Sequence, residues 1–200
     1  MTPDDAKFAV PGAPILAIIR QRWSPYRYQP ISVEQDKLND CLTAASWAAS
    51  SYNEQPWIFF VARRDQGQEF EKMLGCLMEA NQQWAKHAGA LILTAYRKNF
   101  SQNGKPNRVA LHDLGQAAAY LALQAAAVGL QAHQMAGVNL SLVRQMYQVP
   151  DEFEPATAIA VGYADQNTSD SQDVLAERDL APRNRLPLSE FVYFGSYAKR

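Results

Sequence analysis

The chain has 200 residues, 48% of them hydrophobic, and a formal net charge of -1, which suits a single domain with a sizeable core. The absence of a basic stripe or acidic tail argues against nucleic acid and anionic membranes as partners. No apolar run approaches the roughly 18 residues of a membrane span, and Asp4 and Asp5 stand where a signal peptide would be basic.

In chain order, residues 1–12 read as a loosely held arm broken by Pro3, Pro11 and Gly12. Pro14 to Arg22 is a short helical pattern, stopped at Arg22-Trp23-Ser24-Pro25 by the proline. An arginine beside a hydroxyl at such a turn is either a phosphate anchor or simply solvated. Ser32 and Gln35 form a capping-box pair before a helix whose face is Leu38, Cys41, Leu42, Ala45 and Ala49. Cys41 and Cys76 have no partner spacing and read as free buried thiols of a cytoplasmic protein.

The helix runs into Ser50-Ser51-Tyr52-Asn53-Glu54-Gln55-Pro56-Trp57, with two hydroxyls and two amides in a helix-to-strand junction. Such junctions commonly carry a ligand's polar edge. Gln55 precedes proline and is expected to be extended. Trp57 to Ala62 is apolar on both sides, as a strand inside a covered sheet would be. Glu69 to Glu79 and Asn81 to His87 are helical, Ala90 to Ala95 is a second buried strand, and Asn99 to Asn107 is a polar, mobile loop.

Arg108 to Leu130 is a long helix whose Gly115, Ala118, Ala122, Ala125 and Ala126 suggest a subunit interface, with Gly129 as its left-handed terminator. An extended stretch, His133-Gln134-Met135-Ala136-Gly137, precedes a helix capped by Asn139, and Thr157 to Tyr163 is a third buried strand. Asn167 to Asp179 reads as a surface connector. Beyond it lie Arg183-Asn184-Arg185 and the strand-like Phe191 to Phe194, which could join a neighbouring subunit's sheet. No metal-like His/Cys spacing, nucleophile elbow or G-x-G-x-x-G fingerprint is present.

The run ASWAASSYNEQPWIFFVARR resembles the P-S-S-x-N-x-Q-P-W stretch of the nitroreductase family of flavin mononucleotide (FMN) enzymes, and the likeness extends over nearly the whole chain. Arg22-Trp23-Ser24, Asn81, His133-Gln134-Met135-Ala136-Gly137 and Arg183-Asn184-Arg185 resemble further family positions in order. There are departures: Tyr26 and Trp84 stand where basic residues are usual, Ala49 where proline is, and Ala136 where an acid is common. Arg27 is a candidate substitute for the missing charge.

The resemblance implies an α+β fold over residues 1–200: a three-layer α/β/α sandwich with a central mixed sheet, in an intertwined homodimer with C-terminal strand exchange. It implies one FMN per interface. Arg22, Ser24, Arg183 and Arg185 would hold the phosphate, with Trp23 beside them. Ser50, Ser51, Asn53 and Gln55 would meet the flavin from the other subunit. Asn81 would bond the pyrimidine edge, and the backbone of residues 134–137 would pass flavin N5. NADPH or NADH would serve as transient reductant and a nitroaromatic, quinone or related small molecule as acceptor, in a ping-pong cycle with no obligatory catalytic side chain. Other flavin chemistry on the same scaffold (dehydrogenation, dehalogenation or flavin fragmentation) and a non-enzymatic flavin-binding dimer are the alternatives.

Overall fold

Strands β1 (Trp57–Arg63), β2 (Ala90–Arg97), β3 (Gln131–Met135) and β4 (Phe153–Gly162) form a sheet of order β1-β2-β4-β3. The computed structural model describes residues 1–9, 12–167 and 173–197, so Pro11 and residues 168–172 lie outside the described chain. Every pairing among the four strands is antiparallel. Among the described residues of one chain the sheet is therefore antiparallel throughout, without the expected mixed character. Phe191 to Phe194 forms no strand; it follows a 3-10 turn at Leu188–Glu190, and Phe194 is 99% exposed.

Side-chain alternation along the strands builds the layers. On β2 and β4, Ala90, Ile92, Ile159 and Val161 face one core, while Leu91, Leu93, Ala158 and Ala160 face the other. The first core is closed by α3 (Gln35–Ser46) and α6 (Ala110–Ala127), through Leu38, Cys41, Ala45, Ala117, Leu121 and Ala125. The second is closed by α4 (Gln68–Gly75), α5 (Glu79–Ala85) and α7 (Leu140–Met146), through Phe70, Met73, Trp84 and Val143. This is an α+β fold of helix, sheet and helix layers.

The small residues of α6 serve the chain's own packing more than its outside. Ala118, Ala122 and Ala125 are buried in the core shared with α3, Ala126 is half-buried, and of the expected interface stripe Gly115 alone is exposed. Gly129 takes φ +81 just beyond α6, and Asn139 caps α7 by accepting the Leu142 N–H at 3.0 Å, both as their residue types dictate.

Several expectations are corrected. β1 is an edge strand, not an interior one. Its apolar residues on both faces are explained by partial burial: Ile58 and Phe60 lie against one core, Trp57, Phe59 and Val61 against the other. Ser32 does not cap α3; Glu34 precedes the helix, and the Ser32 hydroxyl donates to Asp65 at 3.0 Å. Ala49 is exposed and Ala48 takes its buried place. The arm is ordered by helix α1 (Pro3–Lys7), whose Thr2–Asp5 capping box satisfies its first turn.

Within the supposed connector lies another helix, α8 (Val174–Leu180), with Ala176 and Asp179 buried. Lys7 of α1 donates to the carbonyls of Arg178 and Ala181, tying the two chain ends together. The polar segment from Asn99 is a closed hairpin turn, bridged between Asn99 and Pro106.

Candidate functional site

Helix α2 (Ala17–Gln21) ends at Arg22, whose Nη1 donates to Ser24 Oγ at 3.3 Å. From the other end of the chain, the Arg183 guanidinium donates to the carbonyls of Arg20 and Arg22. Arg185 is close enough to disturb both. Burial first, then the Arg185 charge, lowers the pKa of Arg22; burial, then Arg22 and Arg185, lowers that of Arg183. Among the described residues none of these three arginines pairs with a carboxylate. Guanidiniums gathered without a counter-ion create a positive potential that an anion relieves. Arg183 Nε is also buried without a partner. A phosphate group fits this donor set.

Trp23 is not brought to that cluster by its ring. It is buried in the core, its Nε1 donates to Asp4 at 2.7 Å, and its backbone N–H is taken by Gln131 at 3.0 Å. The chain then turns under the control of Asp179, a buried carboxylate of α8 that accepts the N–H groups of Tyr26 and Arg27 at 2.9 and 3.0 Å. Burial pushes its pKa up to about 6, against those hydrogen bonds.

Tyr26 and Trp84 pack together rather than leaving holes. Tyr26 meets Trp84 edge-on at 5.4 Å and His133 edge-on at 4.8 Å, while Trp84 stacks on His133 at 4.5 Å. His133 Nδ1 lies 2.8 Å from the Pro25 carbonyl. Its pKa is lowered by burial, partly countered by that contact, and further lowered by the Arg22 charge, which on balance disfavours a cation here. Arg27 does not replace the missing cation, since it is committed to Asp165 at 2.6 Å and Asp173 at 3.2 Å.

Asn81 and the turn after β3 are brought together across 56 residues. Asn81 Nδ2 donates to the Gly137 carbonyl at 3.0 Å, and the Met78 N–H donates to the same oxygen at 2.9 Å. A Cβ on Gly137 would lie 2.4 Å from Asn81 Nδ2, so glycine is what lets the two segments meet. Gln134 and Ala136 are exposed and Met135 is buried. Among the described residues the N–H groups of Ala136 and Gly137 donate to no backbone carbonyl.

The loop from Ser50 to Gln55 has an unusual backbone. Tyr52, Asn53 and Gln55 have φ of +53, +56 and +50, a left-handed region costly for L-residues. Gln55 is thus not extended. The proline after it disfavours the right-handed helical region, and the loop closes in the left-handed one, with the Gln55 N–H donating to Ser50 Oγ at 3.0 Å. The Ser51 N–H donates to Asp113 Oδ2 at 3.0 Å, and the Gln55 carboxamide donates to the Asn53 carbonyl at 3.3 Å. Asn53 and Gln55 are exposed, Ser50 and Ser51 half-buried.

The nitroreductase family model matches residues 19–163, which include the loop, Asn81 and the Gly137 turn. The chain belongs to the nitroreductase family. It is 31% identical to a solved oxidoreductase containing FMN, which superposes with a TM-score of 0.88 over 96% of each chain. An uncharacterized 15.4 kDa protein of Mycolicibacterium smegmatis is 33% identical over 146 residues, 70% of this chain and 96% of that one. A nitroreductase family protein from Streptococcus pneumoniae shares the fold at 18% identity, with a TM-score of 0.71 over 88% of this chain and 98% of that one.

Asp113 and Asp179 hold two of these segments, yet the sequence assigns neither a role: Asp113 falls inside the long helical pattern and Asp179 at the end of the supposed connector. Each carries a faint signal, an acid in line with buried alanines of its own helix, Ala110 and Ala117 for Asp113 and Ala176 for Asp179. An acid on an apolar stripe is expensive unless something donates to it.

Proposed function

We propose that this nitroreductase-family chain is a single FMN-binding domain over residues 1–200 that works as a homodimeric, FMN-dependent NAD(P)H oxidoreductase on nitroaromatic, quinone or related electron-poor acceptors. The observation that carries the proposal is the acid-free cluster of Arg22, Arg183 and Arg185 beside Ser24. Arg22, Arg185 and Ser24 would bind the phosphate. Arg183 anchors the tail to the turn and adds charge. Asn81 and the N–H groups of Ala136 and Gly137 would orient the ring from one chain; Ser50, Ser51, Asn53 and Gln55 would supply neutral donors and acceptors from the other. When bound, FMN supplies the hydride-accepting and hydride-donating chemistry, and the protein positions it and limits water.

Two chains are favoured by what one chain leaves open. Cavities of about 350 and 360 Å3 are lined by other residues, not by 50–55 or 135–137. Trp47 and Tyr52 are 81% and 82% exposed, and Leu111, Tyr120, Leu186, Leu188 and Phe191 are exposed as well. A second copy would cover such apolar surface, and the tail would supply the exchanged strand. No described helix is long and apolar enough to cross a membrane.

Purified protein should be yellow, dimeric by sedimentation, and bleached on anaerobic addition of NADPH or NADH. Arg22→Ala should weaken FMN binding roughly 10- to 100-fold, the range for a lost charge-assisted contact. Colourless, monomeric protein that takes up no FMN would overturn the proposal. A second reading, other flavin chemistry such as dehydrogenation, dehalogenation or flavin fragmentation, is favoured by the aromatic packing of Tyr26, Trp84 and His133 where basic side chains are usual. A yellow protein that NADPH and NADH both fail to bleach would select it.

A further inference from the structure

We propose that Glu54 is a positioning residue, fixing the ligand-facing loop by docking it on the 99–106 hairpin turn; the proposal rests on the FMN reading above. Glu54 lies between Asn53 and Gln55, but its carboxylate turns away from them. One oxygen accepts the Ser101 N–H at 2.8 Å and the other accepts the Ser101 hydroxyl at 3.2 Å. Next to it, the Tyr52 ring meets Phe100 edge-on at 5.7 Å.

The hairpin turn is a firm base. Asn99 bridges Pro106, the Phe100 N–H donates to the Lys105 carbonyl at 2.9 Å, and the Gly104 N–H donates to the Phe100 carbonyl at 2.9 Å. Two adjacent residues of a closed turn therefore grip Tyr52 and Glu54. The gripped stretch carries the left-handed residues Tyr52, Asn53 and Gln55, a conformation that persists only where the surroundings over-determine it. Asp113 holds the loop at Ser51 and Ser50 Oγ holds it at Gln55. Glu54 is the side-chain hold between the two carboxamides. Without it, Asn53 and Gln55 sample more orientations, and FMN must order them on binding.

The experiment titrates apo-protein with FMN by fluorescence quenching for wild type, Glu54→Ala and Glu54→Gln, with the visible circular dichroism of bound FMN and the apo melting midpoint recorded in parallel. Glu54→Ala should weaken FMN binding about three- to tenfold and change the dichroism. Glu54→Gln, whose carbonyl still accepts the Ser101 N–H, should restore affinity to within about twofold. The apo midpoint should move by no more than about 2 °C, because the contact is exposed. Unchanged affinity in Glu54→Ala, or a loss that tracks a falling midpoint and is not restored by glutamine, overturns the proposal. If wild type itself takes up no FMN, the functional reading fails separately, and amide exchange over residues 50–55 decides the dock. Faster exchange in Glu54→Ala supports it and equal exchange overturns it.

Discussion

Two segments of the candidate site are each pinned by one buried carboxylate, and they are pinned differently. The turn from Arg22 to Arg27 is held by Asp179 through two N–H groups, sits against the Tyr26–Trp84–His133 aromatic cluster, and is tied down by Arg183. The loop from Ser50 to Gln55 is held by Asp113 through one N–H group, carries left-handed backbone, and exposes Tyr52, Asn53 and Gln55. The first is fixed by burial and the second by a few local hydrogen bonds. Disturbing the first should therefore appear in stability, and disturbing the second in ligand binding.

The largest expected effect is on the pH dependence of stability. Asp179 has its folded pKa raised from 3.8 to about 6, so its protonated form favours the fold. The stability this contributes is fully present below about pH 4 and is lost as pH rises through about 6. From 1.36 kcal/mol per pKa unit, the loss is about 3 kcal/mol. Asp179→Asn stays neutral and keeps a carbonyl acceptor. In urea unfolding at a series of pH values, the variant should gain on wild type by about 3 kcal/mol between pH 4 and pH 7. A constant difference across that range would mean that the carboxylate does not titrate there.

Asp113→Ala should cost less, roughly 1–2 kcal/mol of stability, because one part-buried N–H loses its acceptor while the cost of burying a carboxylate is also removed. FMN affinity should fall with it, and Asp113→Asn should restore both. Equal unfolding midpoints and equal FMN titrations for alanine and wild type would show that the loop holds its shape without α6.

Gly137→Ala separates packing from ligand contact. The added Cβ would lie 2.4 Å from Asn81 Nδ2, the end of a flexible side chain, so Asn81 must swing away and give up its bond to the Gly137 carbonyl. The stability cost should be about 1 kcal/mol, the worth of one such bond. Asn81→Ala should cost a similar amount, and the double variant should add little to either. Additive costs in a double-mutant cycle would mean that the glycine matters for another reason.

What was legible in the sequence follows the same division. Features with local causes were readable: the short apolar runs of β2 and β4, the Gly129 terminator, the Asn139 cap and the loop motif itself. Features that depend on a distant partner were not. The supposed connector is α8, whose polar composition hides the inward Ala176 and Asp179. The Ser32 hydroxyl donates to Asp65, 33 residues on, a partner that no local pattern shows. β1 looked interior because its two faces are each half covered, which composition cannot distinguish from full burial. The contacts of Arg22 with Ser24 and Arg183, and of Asn81 with Gly137, join residues that lie in the family-like motifs. The commitment of Trp23 to Asp4, and of Arg27 to Asp165 and Asp173, was not readable.

The smallest expected effect is the most specific test of the loop. Tyr52 has φ +53 and is largely exposed. Tyr52→Gly relieves left-handed strain of about 1–2 kcal/mol. It also frees the unfolded chain, at about 0.5–1 kcal/mol, and loses the edge contact with Phe100, at about 0.5–1 kcal/mol where the ring is exposed. These terms nearly cancel, so stability should stay within about 0.5 kcal/mol of wild type. Tyr52→Ala loses the same contact and keeps the strain, so glycine should exceed alanine at this position by about 1 kcal/mol. In the middle of α3, where Ala45 is buried and helical, replacing alanine by glycine should cost at least about 1 kcal/mol. A reversed order of alanine and glycine between the two positions would show that the loop's backbone, more than its side chains, is held against its preference.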